Sequence, residues 1–296
     1  MEEYNTIIIG SGIAGMTSGI YLKRAGINIL IIENNMPGGE LNKANTIENY
    51  PGYESINGTD LAMNIYNQLN SYNPDYLFED ITNVDLDNNI ITTTSKKLKY
   101  KNLIIATGRR SKTLGLENED KLIGHGISFC ASCDGALYKD KTVTVVGGAN
   151  TAVSDALYLS KICKKVYIIY RKDNLRSEEI LKERLAQTTN VEILYNREIT
   201  EYIEENNKIK AIKLDNNQEI KTDCLFLAIG YIPNSELFNV EKINGYIKVD
   251  NNYQTNKKNV YACGDVIKKD LYQLVTSASE GATTANNIIE NQAKGD

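Results

Sequence analysis

One pattern occurs twice in this sequence and limits what the chain can fold into. An apolar run ending at Ile9 leads into the glycine-rich turn 10–15, and a similar run ending at Val146 leads into 147–152. Each turn is followed by a segment long enough for a helix and then by a second apolar run. Strand, glycine turn, helix and strand in this order are typical of a βαβ unit that binds a dinucleotide. The sequence therefore predicts two such units in a chain of 296 residues.

Each predicted unit also has a closing strand and a hairpin. The runs 103–108 and 225–230 are both short, apolar and end in Ala-x-Gly. Between the start and the close of each copy, segments around Asn-rich turns at 81–94 and 199–220 predict antiparallel hairpins laid on the parallel sheets. We therefore expect an α/β fold with two Rossmann-like dinucleotide-binding domains of the ββα-sandwich type.

The spacing of the two copies sets the expected domain boundaries. Polar connectors follow both closing strands, so the second copy is expected to span 113–242. The remaining residues, 243–296, are too few for a third domain. They most simply return to complete the first domain, which then consists of 1–112 and 243–296. The second domain is thus expected to be inserted in the first.

The first glycine turn has the residues that a pyrophosphate site needs. Gly10 permits the tight turn, Gly12 lets the backbone approach a pyrophosphate, and Gly15 lets helix and strand pack closely. Glu33 ends the second strand, where its carboxylate can accept hydrogen bonds from a ribose 2′-hydroxyl. Because an acid at this position selects against a 2′-phosphate, the first unit suits FAD or NAD.

The second glycine turn departs from this pattern. Ala149 stands where the second glycine is expected, and its methyl group would crowd a pyrophosphate. Tyr170 stands at the position equivalent to Glu33, so no acid repels a 2′-phosphate there. Three cations follow it: Arg171, Lys172 and Arg176. This arrangement suits NADP-type binding, with a solvated basic turn as the alternative.

Cys130 and Cys133 have the spacing of a redox dithiol. Two thiols at i and i+3 can close a disulfide, and a helix N-terminus beneath them would lower the pKa of a thiolate and favour exchange. Zinc is the competing use of this spacing, but structural zinc needs four ligands, and the chain has neither a second such pair nor a His pair. Asp134 follows the pair and is expected to act as general acid or base for the leaving thiolate, or else to cap a helix.

Composition argues against several other classes of function. Thirty-three Lys and Arg against 38 Asp and Glu leave a net charge of −5 with no basic block, which disfavours nucleic acid and anionic membranes as partners. We expect no export signal and no membrane span, because the start lacks a basic region and the longest uncharged stretch is interrupted by polar residues. Five cysteines fit reduced thiols in the cytoplasm better than a disulfide framework. With His125 as the one histidine, we expect no metal site and no Ser-His-Asp triad.

Together these motifs resemble the low-molecular-weight, bacterial-type thioredoxin reductases, FAD-dependent members of the pyridine nucleotide-disulfide oxidoreductases. Besides the two turns and the cysteine pair, five segments carry the resemblance: Pro37–Leu41, Glu48–Gly52, Ala106–Gly108, Asn150–Ala152 and Gly264–Asp265. The likeness covers essentially the whole chain. It implies FAD in the first domain, NADPH in the second, a homodimer, and thioredoxin or a thioredoxin-like protein as the substrate.

The resemblance also assigns residues to the two cofactors. It implies that FAD contacts Gly10, Gly12, Ala14, Gly15, Glu33, Gly39, Glu40, Leu41, Asn49, Gly108, Gly264, Asp265, Tyr272, Gln273 and Leu274. It implies that NADPH contacts Gly147, Asn150, Thr151, Ala152, Arg171, Lys172 and Arg176. Within the FAD set, Glu33 is expected at the adenosine ribose, Asn49 near the flavin, and Asp265 at the ribityl or pyrophosphate part.

The reaction that the resemblance implies is the reduction of a partner's disulfide. Electrons would pass from NADPH through FAD to the cysteine pair, with Cys133 nearest the flavin, Cys130 attacking the partner and Asp134 handling protons. Ala149, and Tyr272 where the family usually has Arg, leave NADH, ferredoxin or another carrier open as the electron donor. Two further alternatives are a peroxide-linked disulfide reductase with a separate dithiol module and a non-catalytic flavin-binding redox sensor.

Overall fold

The computed structural model describes residues 1–44 and 47–294. The chain forms two compact units, one made of 1–110 and 232–296 and the other of 111–231, so the second is an insertion in the first. The chain returns to the first unit at residue 232, earlier than the expected boundary at 242. Residues that follow it belong to the first unit, because Asn234 exchanges hydrogen bonds with Thr107 and Phe238 is buried in that unit's core.

The helices and strands follow one another in this order: β1 Glu2–Ile9, α1 Ile13–Arg24, β2 Ile29–Glu33, α2 Gly58–Asn70, β3 Asp75–Phe78, β4 Ile81–Asp85, β5 Ile90–Thr93, β6 Lys97–Ile105, β7 Arg109–Ser111, α3 Glu119–Leu122, β8 Ile127–Ser128, α4 Ala131–Asp134, β9 Thr142–Val146, α5 Asn150–Ser160, β10 Lys165–Tyr170, α6 Glu179–Ala186, β11 Val191–Tyr195, β12 Ile199–Glu205, β13 Lys208–Leu214, β14 Glu219–Lys221, β15 Cys224–Leu227, β16 Tyr231–Pro233, β17 Lys242–Ile243, β18 Tyr246–Ile247, β19 Val260–Ala262 and α7 Leu274–Ala293. Short 3₁₀ helices cover Gly39–Lys43, Gly135–Tyr138 and Gly264–Val266.

The first unit is built on a mixed sheet with the strand order β3-β2-β1-β6-β5-β4, and β19 pairs with β6 as well. Strands β1, β2, β3, β6 and β19 run parallel, whereas the predicted hairpin β4–β5 joins β6 in antiparallel orientation. Ile7 on β1 lies beside Leu30 on one side and Leu103 on the other. Parallel strands are covered on both faces, which explains why the run before the first glycine turn is apolar without alternation.

The second unit repeats this plan with five parallel strands in the order β11-β10-β9-β15-β8. Its hairpin β12–β13 does not join that sheet. Together with β14 it forms a separate antiparallel sheet of three strands. The predicted turns of both hairpins contain asparagines in the left-handed region, with φ of 57° at Asn89 and 55° at Asn206, a conformation that asparagine tolerates better than most residues.

In each unit the central sheet has a helical layer on one face and other apolar segments on the other. Met16 of α1 and Ile288 of α7 pack on one face of the first sheet, and Phe238 packs on the opposite face. In the second unit, Val153 of α5 packs on one face and Ile212 of β13 on the other. These layers place the start of α1 and the start of α5 at the carboxyl ends of parallel strands, which is where ligands bind in open α/β sheets.

Candidate functional site

The first glycine turn joins β1 to α1. Gly10 has a φ of 99°, and a Cβ atom there would lie 2.5 Å from the carbonyl oxygen of Ala106, so only glycine fits. A Cβ atom on Gly12 would have no described atom within 4 Å, and the backbone at the start of α1 therefore borders open space. The N–H groups in the first turn of a helix have no partner within the helix and can receive a pyrophosphate.

Glu33, at the end of β2, is held against this turn. Its Oε2 accepts a hydrogen bond from the backbone N–H of Ser11 at 2.8 Å, and its Oε1 accepts from the N–H groups of Asn34 and Asn35 at 2.9 and 3.1 Å. The three bonds fix the carboxylate beside the glycine turn. This is the position at which the sequence predicts the adenosine ribose of FAD.

Two segments from distant parts of the sequence also reach the start of α1. A Cβ atom on Gly39 would lie 3.6 Å from the Cα of Gly12, and one on Gly264 would lie 2.9 Å from the Cβ of Ala14. Ala14 is buried in the first turn of α1, next to the buried Gly15. The structure thus brings three of the segments predicted to contact FAD together around one helix end.

A second group of predicted FAD residues gathers at the start of α7. The Nδ2 of Asn49 donates to Oε1 of Gln273, the N-cap of α7, at 3.1 Å. The guanidinium of Arg109 lies 4.0 Å from the ring centroid of Tyr272, and its Nε lies 3.3 Å from Oδ2 of Asp265. Sequence reasoning missed Arg109, which here supplies a cation beside Tyr272.

The remaining predicted FAD positions can contribute less through their side chains. Leu41 is 2% exposed and belongs to an apolar cluster, against which Leu274 also packs. Glu40 forms a salt bridge of 2.7 Å with Lys43 on the surface. Gly108 follows β6 with a φ of 64°. The site nevertheless offers donors and acceptors that fit FAD. They are the open start of α1, the carboxylate of Glu33 beside it, and the polar side chains of Asn49 and Asp265.

The second glycine turn joins β9 to α5 and tolerates its alanine. Ala149 is the N-cap of α5 with φ −99° and ψ −178°, close to the −77° and −177° of Gly12 in the first unit. Both conformations are extended backbone that any residue adopts. Alanine therefore replaces glycine here without backbone strain, and the expected crowding concerns only a bound pyrophosphate.

Tyr170 packs directly on this turn. A Cβ atom on Gly148 would lie 2.5 Å from the tyrosine ring, so glycine is needed to make room for it. Tyr170 is 5% exposed, and its hydroxyl accepts a hydrogen bond from Nε of Arg176 at 3.1 Å. The backbone N–H of Arg176 donates to the carbonyl oxygen of Gly148 at 2.6 Å. Tyrosine at this position thus ties Arg176 to the glycine turn.

The other residues predicted to bind NADPH surround the same turn. Asn150 exchanges two hydrogen bonds of 2.9 Å with Glu178. Arg171 and Lys172 are exposed just after β10. Gly147 begins the turn, and Thr151 and Ala152 lie in the first turn of α5. The structure therefore places the predicted cations and the predicted pyrophosphate turn at one end of one sheet.

Cys130 and Cys133 are joined as a disulfide, with their Cα atoms 5.3 Å apart. Both are half-buried, and they lie at the start of α4, a helix of only four residues. The N–H of Cys133 donates to the Sγ of Cys130 at 3.2 Å. Since a donor directed at sulfur favours the thiolate over the thiol, Cys130 is the sulfur of the pair better placed to carry negative charge.

Asp134 is linked to the cysteine pair through Ser128, which sequence reasoning missed. The Oγ of Ser128 donates to Oδ2 of Asp134 at 2.6 Å and accepts from the N–H of Cys130 at 3.1 Å. Asp134 precedes the 3₁₀ helix Gly135–Tyr138 but makes no side-chain capping bond to it, so the capping alternative is wrong. Nothing in the sequence distinguished Ser128, because it closes a strand of two residues with no motif of its own.

The other three cysteines are free and buried. Burial raises the pKa of the Cys163 thiol to about 11 and that of Cys263 to about 12, so neither is a nucleophile near neutral pH. Within residues 1–44 and 47–294, no group of three or more His, Cys, Asp or Glu could hold a metal ion. The same residues include no helix that is long and apolar enough to cross a membrane.

A family model described as pyridine nucleotide-disulphide oxidoreductase matches residues 4–282. The chain belongs to this family. Among pyridine nucleotide-disulphide oxidoreductases, it is 40% identical to the thioredoxin reductase of Mycoplasma genitalium over 293 residues, which cover 95% of this chain and 92% of that protein. It is 36% identical to the thioredoxin reductase of Bacillus subtilis over 295 residues, or 96% and 93% of the two chains. The crystal structure of thioredoxin reductase from Streptococcus pyogenes superposes with a TM-score of 0.87 at 31% identity and covers 99% of each chain.

These matches bear on three predictions made from the sequence. The resemblance to bacterial-type thioredoxin reductases is confirmed, since these relatives match over nearly the full chain. The α/β fold with two dinucleotide-binding units is confirmed by the solved structure. The expectation that this family member is an enzyme, a disulfide oxidoreductase, is confirmed as well, and a non-catalytic sensor is not favoured.

Proposed function

We propose that this protein reduces the disulfide of thioredoxin or a thioredoxin-like protein, taking electrons from NADPH through FAD and the Cys130–Cys133 pair. The observation that carries the proposal is a half-buried disulfide in the inserted unit of a chain that has two glycine turns of the dinucleotide-binding kind. The names of the relatives support thioredoxin as the partner.

The first unit is proposed to hold FAD. The open start of α1 would receive the pyrophosphate, Glu33 the adenosine ribose, and the group around Asn49 and Asp265 the flavin end. When bound, FAD supplies two-electron transfer between a nicotinamide and a disulfide. This chain's contribution is to orient that group through the fixed carboxylate of Glu33, which is already held by three backbone N–H groups.

The second unit is proposed to bind NADPH in preference to NADH. A 2′-phosphate carries negative charge and several acceptor oxygens, which suits the guanidinium groups of Arg171 and Arg176 and the ammonium of Lys172. Tyr170 strengthens this assignment, because its hydroxyl holds Nε of Arg176 beside the glycine turn. In the first unit the same position is the carboxylate of Glu33, which would repel a 2′-phosphate.

The cysteine pair would carry out the exchange in two steps. Two electrons and two protons first break the Cys130–Cys133 bond and leave two thiols. Cys130 then gives up its proton, and its thiolate attacks one sulfur of the partner's disulfide, forms a mixed disulfide and releases the partner's other sulfur as a thiolate, which takes up a proton. Cys133 attacks Cys130 in turn, so the internal disulfide re-forms and the partner leaves as a dithiol. Asp134, whose Oδ2 accepts a hydrogen bond from Ser128, is proposed to give and take the protons.

We further propose that the protein works as a homodimer in the cytoplasm. The family resemblance supports the dimer, and sedimentation velocity of the purified protein would test it. The odd number of cysteines at low density supports a reducing compartment, because disulfide frameworks belong to oxidising ones.

The test is an anaerobic titration of the purified yellow protein with NADPH and separately with NADH, followed by turnover with thioredoxin. We expect NADPH to bleach the flavin band at lower concentration than NADH. The variants Cys130→Ser and Cys133→Ser should lose turnover, whereas Cys163→Ala, which removes a buried and unreactive thiol, should keep it. Bleaching by dithionite but by neither nucleotide would move the electron donor to ferredoxin or another carrier and contradict the NADPH assignment.

A further inference from the structure

A buried lysine lies between two acidic side chains beside the turn that begins at Gly264. The Nζ of Lys269 is 3.0 Å from Oδ1 of Asp265 and 3.0 Å from Oε2 of Glu280. The side chains of Lys269 and Glu280 are only 9% and 8% exposed. Ser277 joins the group, since its Oγ accepts from Nζ at 3.0 Å and donates to Oδ1 of Asp265 at 3.1 Å. Besides its hydrogen bond to Ser277, the Nζ of Lys269 donates to both carboxylate oxygens of Glu280, at 3.1 and 3.0 Å, so the ammonium is hydrogen-bonded inside the protein.

Glu280 also holds the backbone of this turn. Its Oε2 accepts a hydrogen bond of 2.8 Å from the N–H of Gly264. Gly264 has a φ of 80° and lies against Ala14 at the start of α1. Glu280 therefore fixes the backbone immediately before Asp265, while Lys269 fixes the carboxylate of Asp265 itself. Both members of the buried pair act on the same aspartate.

Burying an ion pair inside a protein costs free energy. Taking two charges out of water costs several kcal/mol per ion, and well-packed apolar side chains of similar volume often stabilise a protein as well or better. Packing alone therefore gives no reason for Lys269 and Glu280 to be charged. Their charges do have one evident consequence, which is the fixed orientation of Asp265.

We propose that Lys269 and Glu280 are positioning residues of the FAD site, whose ion pair holds Asp265 and the Gly264 turn in the geometry that the cofactor needs. Neither residue belongs to the set that the sequence assigned to FAD. Arg109 assists from the other side, with its Nε 3.3 Å from Oδ2 of the same aspartate. The inference rests on the proposed function, because it takes the first unit to bind FAD.

The test compares flavin release with stability in three variants of the holoprotein. Lys269→Met removes the ammonium and leaves a buried carboxylate without its partner. Lys269→Met/Glu280→Gln removes both charges, while the Gln oxygen can still accept from the N–H of Gly264. Lys268→Met makes the same change at the exposed neighbouring lysine and is the matched control. Flavin release is followed by the rise in free-flavin fluorescence after dilution, and unfolding is followed by far-UV circular dichroism.

We expect Lys269→Met to unfold at a lower temperature, because the carboxylate of Glu280 stays buried without its ammonium partner. It should also release FAD about 10- to 100-fold faster, because the charged contact that holds Asp265 is lost. In the double variant the unfolding temperature should recover, because no unpaired charge stays buried, but FAD release should stay at least about 10-fold faster than in the parent protein. Lys268→Met should match the parent in both measurements. A purely structural role would make release and stability recover together.

The inference is overturned if the double variant regains both the stability and the FAD release rate of the parent, or if Lys269→Met folds and releases FAD at the parent rate. Should Lys269→Met fail to fold, the double variant alone decides. These outcomes are distinct from failure of the proposed function. A parent protein that neither purifies with FAD nor binds added FAD would contradict that function, whereas a yellow parent with unaffected variants contradicts only the role of the ion pair.

Discussion

Replacing Arg176 by alanine is expected to weaken the response to NADPH far more than the response to NADH. The side chain is exposed, yet its Nε is held 3.1 Å from the hydroxyl of Tyr170, and its backbone N–H is bonded to Gly148. A hydrogen-bonded contact between this guanidinium and a 2′-phosphate contributes about 1.5–3 kcal/mol. Because 1.4 kcal/mol corresponds to a factor of ten, the NADPH concentration for half-maximal flavin bleaching should rise roughly 10- to 100-fold. NADH has no 2′-phosphate and should change by no more than about twofold.

A second change at the same place tests the anchoring of the guanidinium. Tyr170→Phe keeps the ring on Gly148 but removes the hydroxyl that accepts from Nε of Arg176. The hydroxyl orients the guanidinium but does not itself contact the phosphate, so we expect its loss to weaken NADPH binding by only about 0.5–1.5 kcal/mol. The NADPH concentration for half-maximal bleaching should therefore rise by roughly 2- to 10-fold, less than in Arg176→Ala. The two effects should not add, because the hydroxyl acts through the arginine.

The assay is an anaerobic stopped-flow titration in which bleaching of the flavin band is followed at several concentrations of each nucleotide. Arg184→Ala, at an exposed arginine of α6 in the same unit, is the control for a general loss of positive charge. If Arg176→Ala and Arg184→Ala changed the NADPH response equally, the effect would be long-range charge and not a phosphate contact. An unchanged ratio of NADPH to NADH response in Arg176→Ala would refute the assignment.

Three further predictions concern stability and the cysteine pair. A Cβ atom on Gly281 of α7 would overlap the carbonyl oxygen of Ala14, so Gly281→Ala should lower the free energy of unfolding by about 1–3 kcal/mol in denaturant titrations, whereas the exposed Ser279→Ala should change it little. Burial raises the pKa of Asp155 from 3.8 to about 7, so the folded state keeps a proton that the unfolded chain has lost, and stability should fall as the pH rises from about 4 to 7. Asp155→Asn should remove this decline and gain about 2–4 kcal/mol at pH 8, and parallel pH profiles for both proteins would contradict the reasoning. Ser128→Ala leaves the N–H of Cys130 without its acceptor. We expect this variant to slow thioredoxin turnover several-fold while NADPH still bleaches the flavin. Unchanged turnover would show that the serine has no part in the exchange.

Much of the fold followed from local patterns. The run before Gly10 is apolar without alternation because both faces of this parallel strand are covered, and this property is visible in the sequence. The run before Gly147 alternates threonine with valine, yet its last four residues are buried as well. The two hairpins could be predicted because asparagines in left-handed turns leave a clear local signal. The point at which the chain returns to the first unit could not be predicted. The segment after 231 joins that unit through hydrogen bonds to Thr107 and the burial of Phe238. Such contacts link residues far apart in the chain.

The candidate site divides in the same way. Gly10, Glu33 and the cysteine pair were recognisable because each has a chemistry that depends on spacing within one short segment. Arg109, Lys269 and Glu280 had no such signal, because a lysine or glutamate on a helix or loop most often faces solvent. The role of each depends on its burial and on partners from other segments. Lys269 is an example, with its Nζ 3.0 Å from the carboxylates of Asp265 and Glu280.

The sequence by itself determined the chemistry available to this protein: two turns able to receive a pyrophosphate, a pair of cysteines able to form a disulfide, and cations able to meet a phosphate. Backbone geometry and residue type govern these properties, and both are local. Only the tertiary structure decided which side chains hold those groups in place. Ser128 beside Cys130, Tyr170 on Gly148, and Lys269 between Asp265 and Glu280 are long-range or partly buried contacts. Hydrogen bonds and ion pairs of this kind depend on distances of about 3 Å and on exclusion of water, which exist only after the chain has folded.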